Sequence, residues 1–129
     1  MNIPQDLLYT DSHEWIRAEG DKGTIGITDH AQQALSDITF VELPAVGKTF
    51  AKGEEIAAIE SCKAAASLYA PVGGKIVEVN AALEDDPGLV NSAPYGGGWI
   101  VKIELADPDE LSVLLKPADY APLAEQEES

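Results

Sequence analysis

The feature that most constrains the fold of this chain is a series of short strand-like runs separated by turn-forming residues. In the last run, Trp99, Val101, Ile103 and Leu105 alternate with other residues, which is the period of a half-buried strand. Segments such as EGDKG, LPAVGK, APVGG and DDPG supply the Gly, Pro and Asp residues that turns favour. Many short strands with regular turns predict a mainly β protein, a small sandwich or barrel. The runs are HEWIRA (13–18), GTIGI (23–27), ITFVEL (38–43), EIAAIE (55–60), KIVEV (75–79) and WIVKIEL (99–105).

Two helices are predicted beside the strands. TDHAQQALS (28–36) begins with Thr28, a favoured N-cap, and Asp29 follows at the positive end of the helix dipole. DPDELSVLLK (107–116) has Pro108 at its first helical position, which a proline accepts because that N–H has no helical partner. Its leucines at i, i+3 and i+4 form a stripe that should pack on the sheet. These are Leu111, Leu114 and Leu115.

The C-terminal end of the chain is predicted to be less ordered. Pro117 is expected to end the second helix, because proline does not continue a helix. The acidic tail, about 121–129, is expected to be frayed. No linker divides the 129 residues, so a single domain, 1–129, is predicted.

Charge excludes several classes of partner. With 8 Lys+Arg against 23 Asp+Glu, the net charge is −15, and phosphate groups would repel such a chain. Neither nucleic acid nor an anionic membrane surface is therefore an expected partner. No apolar stretch approaches a membrane span, and the N-terminus lacks the pattern of a signal peptide. One cysteine forms no internal disulfide, so we expect a cytoplasmic protein. A monomer is expected as well.

Segments that resemble known catalytic or nucleotide-binding motifs lack residues that those motifs require. VGKTF resembles the end of a phosphate-binding loop, but Glu42 stands where that loop needs glycine. YGGGWIVKIE is followed by a strand rather than the helix of a dinucleotide site. His13 and His30 have no metal-ligand spacing, and the chain contains no G-x-S-x-G elbow. No metal site and no catalytic residue are predicted.

Cys62 and Lys63 lie in the segment ESCKAAASLYAPVGGKI, residues 60–76. A nucleophilic cysteine needs a neighbouring cation or a helix N-terminus, whereas adjacent strand residues point to opposite faces. Cys62 is therefore interpreted as a small residue packed into the sheet. Lys63 has only small, uncharged neighbours between two extended runs, which favours a hairpin tip. Attachment of a group carrier to its amine and an ordinary solvated lysine both remain open from these residues alone.

Taken together, four segments resemble the glycine cleavage H-protein family, the lipoyl carriers of that system. The segments are SHEWIRAEG, TIGITDHAQQALSDITFVELPAVG, ESCKAAASLYAPVGGKIVEVN and DPGLVNSAPYGGGWIVKI. Family members usually read E-S-V-K-A at the attachment site, so Lys63 falls on the lipoylated lysine. Glu60 falls on an acid that helps lipoate-attaching enzymes recognise the hairpin. The resemblance implies a flattened barrel or sandwich of two antiparallel sheets with short peripheral helices.

The resemblance also implies a function without catalytic groups in this chain. The carrier, itself not an enzyme, would hold lipoate as a long arm on Lys63. Glycine decarboxylase (P protein) would load the arm with an aminomethyl group, and aminomethyltransferase (T protein) would remove it. Dihydrolipoamide dehydrogenase (L protein) would reoxidise the arm. These three enzymes and the lipoate-attaching enzymes are the expected partners.

In this family the loaded arm folds into a surface cleft, and Ser12 and Glu14 fall on positions assigned to it. A carboxylate there would pair with a protonated amine. The chain departs from the family at Cys62, usually valine, and at Ala66 and Ser67, usually a serine and an acid. The acid is another proposed contact of the amine. Ser36 and Gly73 replace a common glycine and a common serine in turns.

Four alternatives stay open at this stage. The chain could be a divergent paralogue that relays lipoate to other carriers, or a thiol enzyme that uses Cys62. It could also be an unmodified interaction module with an acidic docking surface. A biotin carrier is less favoured, since such proteins place methionines around the lysine and Met1 is the single methionine here.

Overall fold

Nine strands form the body of the molecule. The computed structural model describes the backbone of residues 2–128 and the side chains of residues 2–125. The strands are β1 (Leu8–Tyr9), β2 (Glu14–Glu19), β3 (Lys22–Ile27), β4 (Ile38–Glu42), β5 (Thr49–Phe50), β6 (Glu55–Ser61), β7 (Ala65–Tyr69), β8 (Gly74–Val79) and β9 (Val101–Leu105). One antiparallel sheet has the order β1-β2-β3-β9-β8-β5, and a second has the order β4-β6-β7. The predicted mainly β class, with two antiparallel sheets, is confirmed.

Short helices lie between and beyond the strands. They are α1 (Asp29–Leu35), α2 (Ala82–Asp85), α3 (Leu89–Ser92), a 3-10 helix (Pro108–Val113) and α4 (Pro117–Glu128). Thr28 caps α1 as predicted, because its side chain accepts a hydrogen bond from the N–H of Ala31. Of the helices in the described part of the chain, none has the length and apolar character needed to cross a bilayer.

The main core fills the space between the sheets with the inward residues of the alternating strands. Val101, Ile103 and Leu105 are buried and Glu104 is exposed, so the period predicted for this run is confirmed within β9. It does not extend to the start of the run, where Trp99 is half-buried and Ile100 is fully buried. Burying such side chains contributes about 1.5–3 kcal/mol each, which makes this the main stabilising term. The largest fully buried aliphatic members are Ile16, Ile25, Ile59, Leu68, Ile76, Leu83, Ile100 and Ile103.

A second, smaller core holds the C-terminal helix against the sheet edge. Its buried members are Leu7, Tyr9, Trp15, Tyr120 and Ala124. The rings of Tyr9 and Tyr120 stack with centroids 4.6 Å apart, and both residues are fully buried. The contact joins α4 to β1 and thus ties the last element of the fold to the first.

The helix predicted over 107–116 begins as expected, at Pro108 with Asp107 as its cap, but the prediction of its length and of its end at Pro117 is wrong. The chain forms the shorter 3-10 helix, leaves it at Leu114 in an extended conformation, and begins α4 at Pro117. Proline fits either first turn, since its missing N–H would be unpaired there in any case. The pairing of Leu115 with Tyr9, through two hydrogen bonds of 2.8 Å, fixes the break between the helices. The tail expected to be frayed is helical as far as Glu128, and Ser129 lies outside the described residues.

Candidate functional site

A two-residue turn joins β6 to β7 and carries Cys62 and Lys63. Ser61 and Ala64 close the hairpin through a backbone hydrogen bond of 2.8 Å from the Ser61 N–H. The Ser61 hydroxyl donates to the Ala64 carbonyl at 3.0 Å and accepts from the Ala64 N–H at 3.1 Å. Neither turn residue has a positive φ. The serine side chain therefore stabilises a tight tip that needs no glycine.

Lys63 lies at the outermost point of this hairpin. Its side chain is exposed, and so are Ala64 and Ala65. It forms no ion pair with any of the residues that the structure describes. A primary amine on a narrow tip with small neighbours is accessible to the active site of another protein.

Cys62 is exposed, so the prediction that it packs inward is wrong. It occupies the turn rather than a strand, where the alternation of faces on which the prediction rested does not apply. Its backbone N–H donates to the Asp37 carbonyl at 3.1 Å. This bond ties the hairpin tip to the loop that follows α1.

Glu60 is exposed on the outer face of the three-stranded sheet, two residues before the first turn residue, Cys62. It lies opposite Ala65 on one side and Phe40 on the other. Phe40 is 50% exposed, and together with Ala58 and Ser67 it lines a shallow groove of about 240 Å³ below the tip. Glu60 and the exposed ring of Phe40 are therefore paired neighbours close to the lysine turn.

Ser12 and Glu14 come together at the far end of β7 from the lysine. The Glu14 carboxylate is buried and accepts hydrogen bonds from the hydroxyls of Thr10 and Ser12, the latter at 2.6 Å. Its second oxygen accepts from the Tyr69 N–H at 3.3 Å. Burial raises the pKa of the Glu14 carboxyl, and these three donors oppose the rise. The carboxylate borders a cleft of about 340 Å³ that also includes Lys52.

The open edge of β7 connects the tip to this cleft. In the antiparallel pattern set by Ser61 and Ala64, the backbone N–H and C=O groups of Ala65, Ser67 and Tyr69 point away from β6. The N–H of Tyr69 is the one that Glu14 captures. A path along this edge therefore runs from the lysine turn to the buried carboxylate.

Ser67, which stands where an acid was expected from the family pattern, has a carboxylate beside it. Its hydroxyl donates to a carboxylate oxygen of Glu55 at 2.5 Å. Glu55 is exposed on the adjacent strand, opposite Tyr69. The negative charge near this position thus comes from Glu55, which is hydrogen-bonded to Ser67.

Comparison with known proteins shows the family to which this chain belongs. Residues 7–127 match the model of the family described as glycine cleavage H-protein. The chain belongs to the glycine cleavage H-protein family. A glycine cleavage system H protein of Methylacidiphilum infernorum is 52% identical over 128 residues, which cover 99% of this chain and all of that one. One of Escherichia coli is 54% identical over 127 residues, 98% of each chain. The crystal structure of a Mycobacterium marinum glycine cleavage system H protein superposes with a TM-score of 0.84 at 40% identity, covering 98% of this chain and all of that one.

Within this H-protein fold, several contacts of the site could not be found from the sequence. Thr10 and the N–H of Tyr69 hold the Glu14 carboxylate, although the sequence singles out neither residue. Tyr120 reaches the same loop from α4, 107 residues away from His13 in the chain. The T-D-S-H-E segment offers a signal for the Thr10 contact, because threonine hydroxyls bond to nearby groups in turns.

Proposed function

We propose that this H protein is the lipoyl carrier of a glycine cleavage system, with lipoate attached to Lys63. The observation that carries the proposal is the lysine itself, exposed at a narrow two-residue turn in a chain of this family. Lipoate joined by an amide to Lys63 Nζ supplies a dithiolane that carries the aminomethyl group between enzymes. The chain itself is not an enzyme: it presents the lipoyl arm to its partners and protects the aminomethyl group that the arm carries.

The tip fits this role for steric and electrostatic reasons. The nearest residues beyond the turn are alanines, so an attaching enzyme meets backbone and methyl groups around the amine. The Ser61 hydrogen bonds keep the turn in one conformation, which lowers the entropy lost on docking. We propose that lipoate-attaching enzymes recognise Glu60, which is exposed on β6 three residues before the lysine.

The cleft at Glu14 fits a cationic cargo. A protonated amine that approached the carboxylate would find a negative charge in a place where water has largely been excluded. Such a pair is stronger than one in solvent, and the ammonium would favour the ionised form of Glu14. We propose that Ser12 and Glu14 hold the aminomethyl amine there and shield it from hydrolysis.

The proposed partners are glycine decarboxylase, aminomethyltransferase and dihydrolipoamide dehydrogenase, in the cytoplasm. Each must admit the same lysine tip, which supports a common docking region around the β6–β7 hairpin. The chain's charge of −15 favours partner surfaces that are basic there.

Lipoylation of the purified chain provides the first test. Incubation with lipoate, ATP and a lipoate-protein ligase should raise the intact mass by one lipoyl group, and peptide mapping should place it on Lys63. Lys63→Arg should gain nothing, since arginine keeps the charge but offers no acylable amine. Lys52→Arg and Lys75→Arg, which replace other exposed lysines, serve as matched controls and should gain the group. An unmodified wild-type chain would contradict the proposal.

Reconstitution separates a glycine cleavage carrier from a lipoate relay. The lipoylated chain, mixed with the decarboxylase, should support exchange of bicarbonate carbon into the carboxyl group of glycine. Lys63→Arg should reduce that exchange to background. A chain that is lipoylated yet supports no exchange, while passing its lipoyl group to other carriers, would favour the relay function instead.

A further inference from the structure

The loop that presents Ser12 and Glu14 contains a residue in an unusual conformation. Thr10 and Glu14 close the β1–β2 hairpin, with the Thr10 N–H donating to the Glu14 carbonyl at 3.0 Å. His13 lies just before Glu14 and has a φ of 69°. In hairpin loops of this kind the left-handed position usually holds glycine, although histidine adopts it more readily than most residues. A side chain retained at such a position indicates that its contacts compensate for the backbone strain.

Besides the bond that its N–H donates to the Thr10 carbonyl at 3.3 Å, His13 has contacts with elements outside the loop. Its Nδ1 lies 2.7 Å from the Tyr120 hydroxyl, and its ring stacks on that of His30 at a centroid distance of 4.2 Å. The His13 carbonyl accepts from the Thr28 N–H at 3.0 Å. The Tyr120 hydroxyl also lies 2.7 Å from the Thr28 hydroxyl. One tyrosine of α4 thus joins the left-handed residue of the loop to the N-cap of α1.

The consequence concerns the direction of the neighbouring side chains. The ring of His13 contacts Tyr120, and the side chains of its two chain neighbours, Ser12 and Glu14, meet each other at 2.6 Å. If the ring were released, the strained φ would relax and the two groups would lose their common orientation. Tyr120 itself is fully buried and stacked on Tyr9, so it offers a rigid anchor.

We propose that Tyr120 and His13 are positioning residues of the amine-binding cleft, which act by holding Ser12 and Glu14 in register with the edge of β7. The inference rests on the proposed function for its meaning, because the cleft is where the aminomethyl amine would bind. The positioning of Ser12 and Glu14 by His13 and Tyr120 does not depend on lipoate and can be tested in the unmodified protein. The C-terminal helix is then a component of the cargo site. Tyr120 itself does not line the cleft.

The Tyr69 amide offers a direct probe of the carboxylate position in the unmodified protein. It points to the open edge of β7, and the acceptor it finds there is Glu14. Removing the Tyr120 hydroxyl by Tyr120→Phe keeps the ring and its stacking on Tyr9. Hydrogen exchange of the Tyr69 amide, followed by NMR, should become roughly tenfold faster, because its acceptor is no longer held.

Tyr95→Phe is the matched control. The Tyr95 hydroxyl also has two partners: it accepts from the Asp29 N–H and donates to the Asn2 carbonyl, both at 2.8 Å. Its loss should leave exchange at Tyr69 unchanged. Exchange at the core residue Ile103 reports global opening. If Tyr120→Phe speeds Tyr69 and Ile103 by the same factor, or leaves Tyr69 at the wild-type rate, the positioning role is wrong.

A second measurement connects the geometry to the cargo. On lipoylated protein loaded with the aminomethyl group, Tyr120→Phe should shorten the lifetime of the group in water several-fold, while Tyr95→Phe should not. His13→Ala removes the ring but keeps the Cβ atom, and with it the backbone strain at the left-handed position, and should shorten the lifetime too. If the amide result holds but no lipoyl group attaches to Lys63, the proposed function fails and the positioning role survives. An unchanged lifetime with faster exchange would overturn the link to the cargo.

Discussion

Ser36 occupies a backbone conformation that favours glycine. As the C-cap of α1 it has φ 63° and ψ −151°, a region in which a Cβ atom costs about 1–3 kcal/mol. Its N–H satisfies the Gln32 carbonyl at 3.0 Å, and its carbonyl accepts from Asn91 at 2.8 Å. The position is therefore held by backbone contacts that any residue makes, and the serine side chain adds strain.

Ser36→Gly should stabilise the protein. The relief of strain exceeds the added flexibility of glycine in the unfolded chain, so we expect a gain of about 1 kcal/mol and roughly 3–5 °C in Tm. Thermal unfolding followed by circular dichroism would measure it. Ser112→Gly, at an exposed residue of the 3-10 helix without a positive φ, should instead lower Tm. A loss of stability in Ser36→Gly would show that the left-handed position is not strained.

Glu14 makes folding depend on pH in the direction opposite to that of most paired carboxylates. Its pKa is raised above the ordinary 4.5, chiefly by burial, so the folded state binds this proton more tightly than the unfolded state. Its contribution to stability is therefore fully present below pH 4.5 and is lost as the pH rises through the raised pKa.

Glu14→Gln isolates this effect. We expect the free energy of unfolding of the variant, relative to wild type, to increase as the pH rises through that window and to level off above it. Urea denaturation of both proteins from about pH 4 to 8 would measure the difference, in which the other carboxylates cancel. A difference that declines with rising pH would mean that the hydrogen bonds of Ser12, Thr10 and Tyr69 outweigh burial.

At the scale of elements, the strands were predictable where alternation covers several residues. All six predicted runs contain a strand. In β9 one face meets the core and the alternation records that burial, whereas β2 and β4 do not alternate and were indicated by their apolar residues between turns. β1 and β5 have two residues each, too few to show a period. β7 begins with small residues, AAS, that carry no apolar signal, and its extension was predicted only from Ser67 onward, in the run SLYAPV after the lysine.

The helices show a different limit. Pro108 and Pro117 each begin a helical segment, but the sequence does not say which proline is a start and which a stop. The pairing of Leu115 with Tyr9 decides it, and that contact joins positions over 100 residues apart. Long-range contacts of this kind override local propensity.

In the candidate site, too, local features were predictable from the sequence and long-range contacts were not. The position of Lys63 at a hairpin tip was predictable because that hairpin is local, from Ser61 to Ala65. The holding of Glu14 was not, since its partners include Tyr69, which lies 55 residues further along the chain. Cys62 was placed wrongly because a turn of two residues removes the strand alternation on which its inward position depended.

At the scale of the whole molecule, unbalanced charge opposes compactness. The 23 acids face 8 basic residues, and the ion pair of Arg17 with Asp6, at 3.7 Å, is an exposed one. Exposed pairs contribute little, so attraction between charges does little to offset the mutual repulsion of the acids. The packed core and the hydrogen-bonded sheets must therefore hold the fold against that repulsion.

Salt should therefore stabilise this protein. The Debye length falls from about 30 Å at 0.01 M to about 8 Å at 0.15 M, which screens repulsion across a molecule of this size. We expect Tm to rise by several degrees over that range at pH 7, because a chain at −15 loses more repulsion than attraction. Calorimetry in NaCl and in KCl would measure the rise, which should be the same for both salts if screening is the cause. A fall in Tm would mean that ion pairs stabilise the fold more than the excess of acids destabilises it.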